Sequence, residues 1–301
     1  MSRRLLPLIP LSLLILCPGA RGVETAFDQG RAWSLLEDQL ALGPRYPGSP
    51  GHTAARWWII GELAPLVDEL TLQRFEYQPP FGETVTATNI IGLLNTPAET
   101  RVMLGAHWDT RRYADEDPDP ARRGEPVPGA SDGASGVAVL LELARVFAES
   151  PPEVGVLFVF FDLEDQGRIG GQEFCIGSER LAAAEALEFD YGVIVDLVGD
   201  AELNLHPEGH SLRGAPELVR RVWDIAAELG ESAFIDEPRH TITDDHLPFL
   251  RRGRPVIDII DFDYDYWHTV NDTAAHCSPD SLGAVGRVVE TLLRRGGSGG
   301  W

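Results

Sequence analysis

Apolar residues recur at helical spacing across Thr25–Leu42, through Phe27, Trp33, Leu35, Leu36 and Leu40, and Gly43-Pro44 stops the run. A second helix is predicted over Gly51–Ala64, with Trp57, Trp58, Ile59 and Ile60 as its buried side and Pro65 at its end. The period then falls to two. Leu70–Tyr77 alternates like a half-exposed strand and ends at Pro79-Pro80. Val85–Leu94 and Arg101–His107 read as further strands, and their short connections predict antiparallel pairing among these early strands. Beyond residue 100 the pattern alternates. Helices are predicted at Val137–Phe147, Ser178–Leu187, Ala215–Leu229, around Phe249 and Leu250, and at Pro279–Leu293. Between them lie the apolar strands Val154–Phe161, Tyr191–Val198 and Pro255–Ile260. Strands this apolar are buried on both faces, so the expected fold is α/β: a single domain with a central mixed, mostly parallel sheet covered by helices on both faces.

Composition narrows the partners. The 301 residues are 44% hydrophobic and 24% charged, with a net charge of −22. Such a chain repels nucleic acid and anionic lipid surfaces. Arg3 and Arg4, the apolar stretch Leu5–Leu16 broken by Pro7, Pro10 and Ser12, and the small residues of Ala20-Arg21-Gly22 read as an export signal. The stretch is too short and proline-marked to span a bilayer comfortably. Residues 1–22 are therefore expected to be cleaved, leaving a catalytic domain over 23–295, a flexible tail over 296–301, no stable membrane insertion, and a periplasmic or secreted protein. Cys17 follows Leu16, where lipidation needs a small residue. Cys175 and Cys277 remain in the mature chain, as one disulfide or as two buried thiols.

Candidate chemistry gathers at strand ends. In Phe158–Gly167, FVFFDLEDQG, a core strand runs out into Asp162, Glu164 and Asp165. Crowded carboxylates repel one another unless a cation sits among them. His107-Trp108-Asp109 closes another strand, in the arrangement by which a carboxylate orients a metal-binding imidazole. Asp132 lies in a small-residue run before a helix and either caps it or serves a site. Asp196 interrupts an apolar strand, a costly place for an unpaired acid. Asp244-Asp245-His246 and Trp267-His268-Thr269 come later. Together His107, Asp132, Glu164, Asp165, Asp196 and His268 match the donor mixture of a catalytic zinc site, where three protein ligands leave one position open.

The blocks HWD, GASDGASG, FFDLEDQG, IVDLVGD, TDDHLPFLRRG and YWHTVND resemble the glutaminyl-peptide cyclotransferases of the zinc-aminopeptidase-like superfamily. The resemblance covers nearly all of the mature chain, and DDHLPFLRRG followed by WHT is its most specific part. It implies one zinc per chain, held by Asp132, Asp165 and His268. Glu164 is then the proton shuttle, Asp196 and Asp244 surround it and orient the substrate amine, and Trp267 shapes the pocket. Phe174 stands where a tryptophan is often placed in that wall. His107 is a second-metal ligand in the aminopeptidases and a supporting residue in the cyclases. The implied substrates are peptides or proteins with N-terminal glutamine. Zinc polarises the γ-carbonyl, the α-amine attacks it, and pyroglutamate and ammonia result. The alternative is a two-zinc aminopeptidase using His107, Asp132, Asp165, Asp196 and His268, with Glu164 activating water. Asp258, Asp261, Asp263 and Asp265 make the segment before Trp267 acidic, either to favour the substrate's amino group or as a solvated face.

Overall fold

The structure, a computed structural model, describes residues 25–80, 82–184 and 187–296. In chain order the strands are β1 (Glu69–Tyr77), β2 (Val85–Leu94), β3 (Arg101–His107), β4 (Gly155–Phe161), β5 (Tyr191–Asp196) and β6 (Val256–Ile260). The helices are α1 (Gln29–Ala41), α2 (Pro50–Leu63), α3 (Gly136–Glu149), α4 (Ile176–Ala182), α5 (Gly209–Gly214), α6 (Pro216–Leu229), α7 (Leu247–Leu250) and α8 (Pro279–Arg295). Local chemistry sets their ends. Asp28 accepts the N–H groups of Gly30 and Arg31 at the start of α1, and Ser49 caps α2 just before Pro50. Gly230, in the left-handed region, closes α6.

One six-stranded sheet runs in the order β1-β2-β4-β3-β5-β6. Contacts β1–β2 and β2–β4 are antiparallel, while β4–β3, β3–β5 and β5–β6 are parallel. The mixed, mostly parallel α/β sheet is therefore as expected, but antiparallel pairing of β2 with β3 is not. The α3 crossover returns the chain so that β4 lies parallel to β3 and between it and β2. A strand apolar on both faces gains most from that interior place.

Alternation along β4 divides the core. Val156, Phe158 and Phe160 join the larger cluster with residues of α1, α2, α3, α6 and α8. Leu157, Val159 and Phe161 face the other way, toward Leu181 of α4 and Phe249 of α7. Each fully buried phenylalanine contributes on the order of 2–3 kcal/mol.

Some expectations change. Helix α2 buries Gly51, His52, Ala55, Ile59 and Leu63, whereas Trp57 is 55% exposed. The i, i+4 stripe of small and branched residues fits against the sheet more closely than the tryptophans could. The expected helix over 178–187 forms earlier, as α4, and α5 was not anticipated; the Glu208 side chain caps it. Cys175 and Cys277 are free and buried, so they form no disulfide with each other. The expected leader at residues 1–22, Cys17, and the expected tail beyond Gly296 lie outside the described residues. Among the described residues, no helix is long and apolar enough to cross a membrane.

Candidate metal and catalytic centre

Parallel strands β3, β4 and β5 bring their carboxyl ends to one edge of the sheet, the usual place for an α/β site. His107 ends β3 opposite Phe161, the last residue of β4, and Asp196 ends β5. The Asp162–Asp165 turn leaves β4 at the same edge, and the segment after β6 returns Trp267 and His268 over it.

Asp132 connects both histidines. Its Oδ1 lies 3.0 Å from His107 Nε2, and its Oδ2 lies 3.7 Å from His268 Nε2. It does not cap α3: the N-cap is Ser135, and Asp132 sits in a non-helical bend before it. Asp272 fixes that bend by accepting the Ser131 N–H at 2.8 Å and the Asp132 N–H at 3.2 Å. A Cβ on Gly133 would come within 2.4 Å of His107 Nε2, so only glycine permits this approach.

The acidic turn after β4 is built by Asp109. Its carboxylate accepts the Glu164 N–H at 2.9 Å, the Asp165 N–H at 3.4 Å and the Gln166 amide at 3.1 Å. His107 Nδ1 is 3.7 Å away, too long for the tautomer-fixing hydrogen bond expected from HWD. Burial opposes the Asp109 charge, but the His107 contact and these N–H donors outweigh it and lower its pKa. Asp162, given no chemistry from the sequence, bonds His52 Nε2 at 2.9 Å and accepts the Thr88 N–H at 2.7 Å, supporting the strand exit.

Asp165 Oδ1 lies 2.9 Å from His268 Nε2 and accepts from Arg111 Nη1 at 3.3 Å. Burial raises the Asp165 pKa to about 7 despite the Arg111 charge, and burial lowers that of His268 to about 3. Glu164 is pushed well above its ordinary value, first by burial and then by the charges of Asp244 and Asp165. Its Oε1 accepts from Cys175 Sγ at 3.3 Å. Asp196 accepts the Leu197 N–H at 2.7 Å and lies 3.1 Å from His107 Nε2, and burial raises its pKa. Asp244 is raised by burial and by the Asp196 charge.

The donor chemistry fits a divalent cation. Asp132, Asp165 and His268 offer ligand atoms within 4.8 Å of one another, and Asp165 Oδ2 is buried with no hydrogen-bond partner. Two carboxylates and a neutral imidazole are a normal zinc set with one position left for substrate. His107, Asp132 and Asp196 form a second set meeting the same distance limit.

A cleft of about 650 Å³ opens onto Asp132, Glu164, Asp196, Asp244 and His268. The Trp267 ring stacks on His268 at 3.6 Å between centroids, and Phe262 meets Trp267 edge-on at 5.2 Å. Phe174 lines the cleft too, with its ring 6.5 Å from that of His268 and the Arg111 and Arg168 guanidinium groups at 5.6 and 5.7 Å. The metal, shuttle and pocket residues singled out from the sequence thus meet at this edge, whereas none of Asp258, Asp261, Asp263 and Asp265 lines the cleft: Asp258 and Asp261 are buried, and Asp263 pairs with Arg239 and His240. Arg111, Asp272, Cys175 and the turn-building role of Asp109 were missed. Asp109 stood in the HWD block, Arg111 two residues after it and Asp272 at the end of YWHTVND, whereas Cys175 lay outside every one of these blocks.

The sequence profile of peptidase family M28 matches residues 89–293. The glutaminyl cyclase of Porphyromonas gingivalis is 33% identical, with 91% of this chain and 100% of that chain covered and a TM-score of 0.86. The glutaminyl cyclase of Bacteroides thetaiotaomicron, solved with N-acetylhistamine, is 34% identical over 89% of this chain and 98% of that one, with a TM-score of 0.84. The glutaminyl-peptide cyclotransferase of Bos taurus is 27% identical over 286 residues, 83% of this chain and 77% of its own length. With a profile spanning most of the chain, and cyclases superposing over nearly all of it, this chain belongs to peptidase family M28 and to the glutaminyl-cyclase relatives that share its fold.

Proposed function

We propose that this chain is a glutaminyl-peptide cyclotransferase, converting N-terminal glutamine of peptides to pyroglutamate with release of ammonia. The observation that carries the reading is the buried Glu164 carboxyl beside the Asp132–Asp165–His268 donor set on the floor of a cleft walled by Trp267. A zinc ion held by those three donors would supply Lewis-acid polarisation of the substrate's γ-carbonyl. Glu164 takes a proton from the attacking α-amine and gives one to the departing amide nitrogen. The side-chain carbonyl carbon, Cδ, thereby gains its bond to the α-nitrogen and loses the one to the amide nitrogen, which leaves as ammonia. Asp196 and Asp244 line the same cleft and hold the amine toward Glu164. Trp267 and Phe174 confine the side chain, so that amine and amide meet within one molecule. A raised Glu164 pKa suits a group that both accepts and returns a proton.

The same proposal includes export directed by residues 1–22, with the catalytic domain over 23–295. Its test is mass spectrometry of a Gln-initiated peptide after incubation, where loss of about 17 mass units marks departure of ammonia in this proton-transfer chemistry. An unchanged mass refutes the reading. The His107–Asp132–Asp196 set supports a second reading as a two-zinc aminopeptidase. Two zinc ions per chain and release of leucine from a leucine amide would establish that reading in place of the first.

A further inference from the structure

Cys175 pairs with neither Cys277 nor a metal ligand of the proposed zinc set, and it is buried. It is tied twice to one residue. Its backbone N–H donates to the Glu164 carbonyl at 3.0 Å, and its Sγ lies 3.3 Å from Glu164 Oε1. The next N–H, of Ile176, donates to the Leu163 carbonyl at 2.9 Å, so the segment entering α4 is laced along the acidic turn. Cys175 holds φ 59° and ψ 34°, the left-handed region that glycine and asparagine adopt most easily. A β-carbon is strained there, so backbone conformation alone favours a residue other than cysteine. What the cysteine adds is the thiol, placed on the Glu164 carboxyl.

We propose that Cys175 is a positioning residue for the proton shuttle: its S–H donates to Glu164 Oε1 and locks the carboxyl rotamer, leaving the other oxygen for the substrate amine. The inference rests on reading Glu164 as the shuttle. Burial, and next the nearby Glu164, Asp245 and Asp244 charges, push the thiol pKa well up, so it remains the hydrogen-bond donor. No bond to sulfur forms or breaks in turnover. A protonated thiol donates to Glu164 without adding charge to the crowded carboxylates.

The test compares the zinc-loaded wild type with Cys175→Gly, Cys175→Ala and Cys175→Ser on a Gln-initiated peptide, with kcat, KM, zinc content and melting temperature measured for each. Glycine relieves the backbone strain while deleting the donor. It should melt at or above the wild-type temperature, yet lose about tenfold in kcat, which corresponds to about 1.4 kcal/mol. KM and zinc content should stay unchanged. Alanine should lose a similar factor in kcat, and serine, which restores a donor, should recover most of it. Wild-type kcat in the glycine and alanine variants overturns the role, as does a loss that only follows melting temperature. A wild-type chain inert toward the peptide refutes the cyclase reading, and this role in it; an active wild type with fully active variants refutes the positioning role alone.

Discussion

Gly133→Ala tests how closely the centre is packed. The new Cβ would stand 2.4 Å from His107 Nε2, 2.6 Å from its Cε1 and 2.6 Å from its main-chain oxygen. Carbon needs nearly 3.5 Å to such atoms. The imidazole has little room to withdraw, because its Nε2 lies 3.0 Å from Asp132 and 3.1 Å from Asp196, and its carbonyl belongs to β3. The bend carrying Asp132 must move instead. Overpacking of this kind costs about 1–3 kcal/mol. For a domain this large, that is a fall of roughly 2–8 °C in melting temperature. Because Asp132 rides on the displaced peptide, zinc affinity should fall by about tenfold to a hundredfold as well, the usual effect of disturbing a ligand's support. Gly61→Ala is the control: Gly61 is exposed within α2 and has nothing within 4 Å of the added carbon. Alanine there should stabilise the protein by about 0.5–1 kcal/mol through helix propensity alone. Differential scanning calorimetry and competition with a zinc chelator read both quantities. If Gly133→Ala keeps wild-type melting and zinc affinity, the packing argument and the rigid placement of Asp132 are wrong.

Glu164→Gln should lower kcat by about a hundredfold to ten-thousandfold while zinc content stays at the wild-type level; near-normal turnover removes Glu164 from proton transfer. Asp165→Asn should weaken zinc binding by about a hundredfold or more, read by equilibrium dialysis, because a neutral amide oxygen replaces an anionic donor; unchanged affinity would mean that Asp165 is no ligand. Glu208 accepts the N–H groups of His210, Ser211 and Ile242, and its Oε2 lies 3.1 Å from His246 Nε2. Burial opposes its charge, yet these partners hold its pKa down at about 2 against an ordinary 4.5. A folded-state pKa below the unfolded one gives stability that is complete above about pH 4.5 and lost as pH falls toward 2. The melting-temperature gap between wild type and Glu208→Gln should thus be widest near neutrality and close across that acid range; a gap independent of pH refutes the ionised Glu208 anchor.

Much of this molecule was legible along the chain. Unbroken apolar runs such as Val154–Phe161 fixed the strands, because a residue's tendency to bury depends mainly on its own side chain and close neighbours. Acids at the ends of such runs, together with His107 and His268, were conspicuous for the same reason: an ionisable group beside a buried strand needs a partner. The sequence therefore nominated Asp132, Glu164, Asp165, Asp196 and Asp244 as a working set, with Trp267 and Phe174 beside them.

Local pattern could not order the strands or say which acid meets which group. The placement of β4 between β2 and β3 depends on the path of a crossover, which leaves no mark within either strand. Asp272 supports the Ser131–Asp132 bend from 141 residues away in sequence, and Arg111 reaches Asp165 across 54. Asp109 turned out to hold the Glu164–Asp165 turn rather than the imidazole two residues before it. Trp57 points outward although it is among the most apolar residues of α2. The sequence by itself determined the elements and the kinds of chemical group available at their ends. Tertiary structure alone decided their distances, and with them the electrostatics that raise Glu164 and Asp165, because charge interactions and desolvation depend on separation in space and not along the chain.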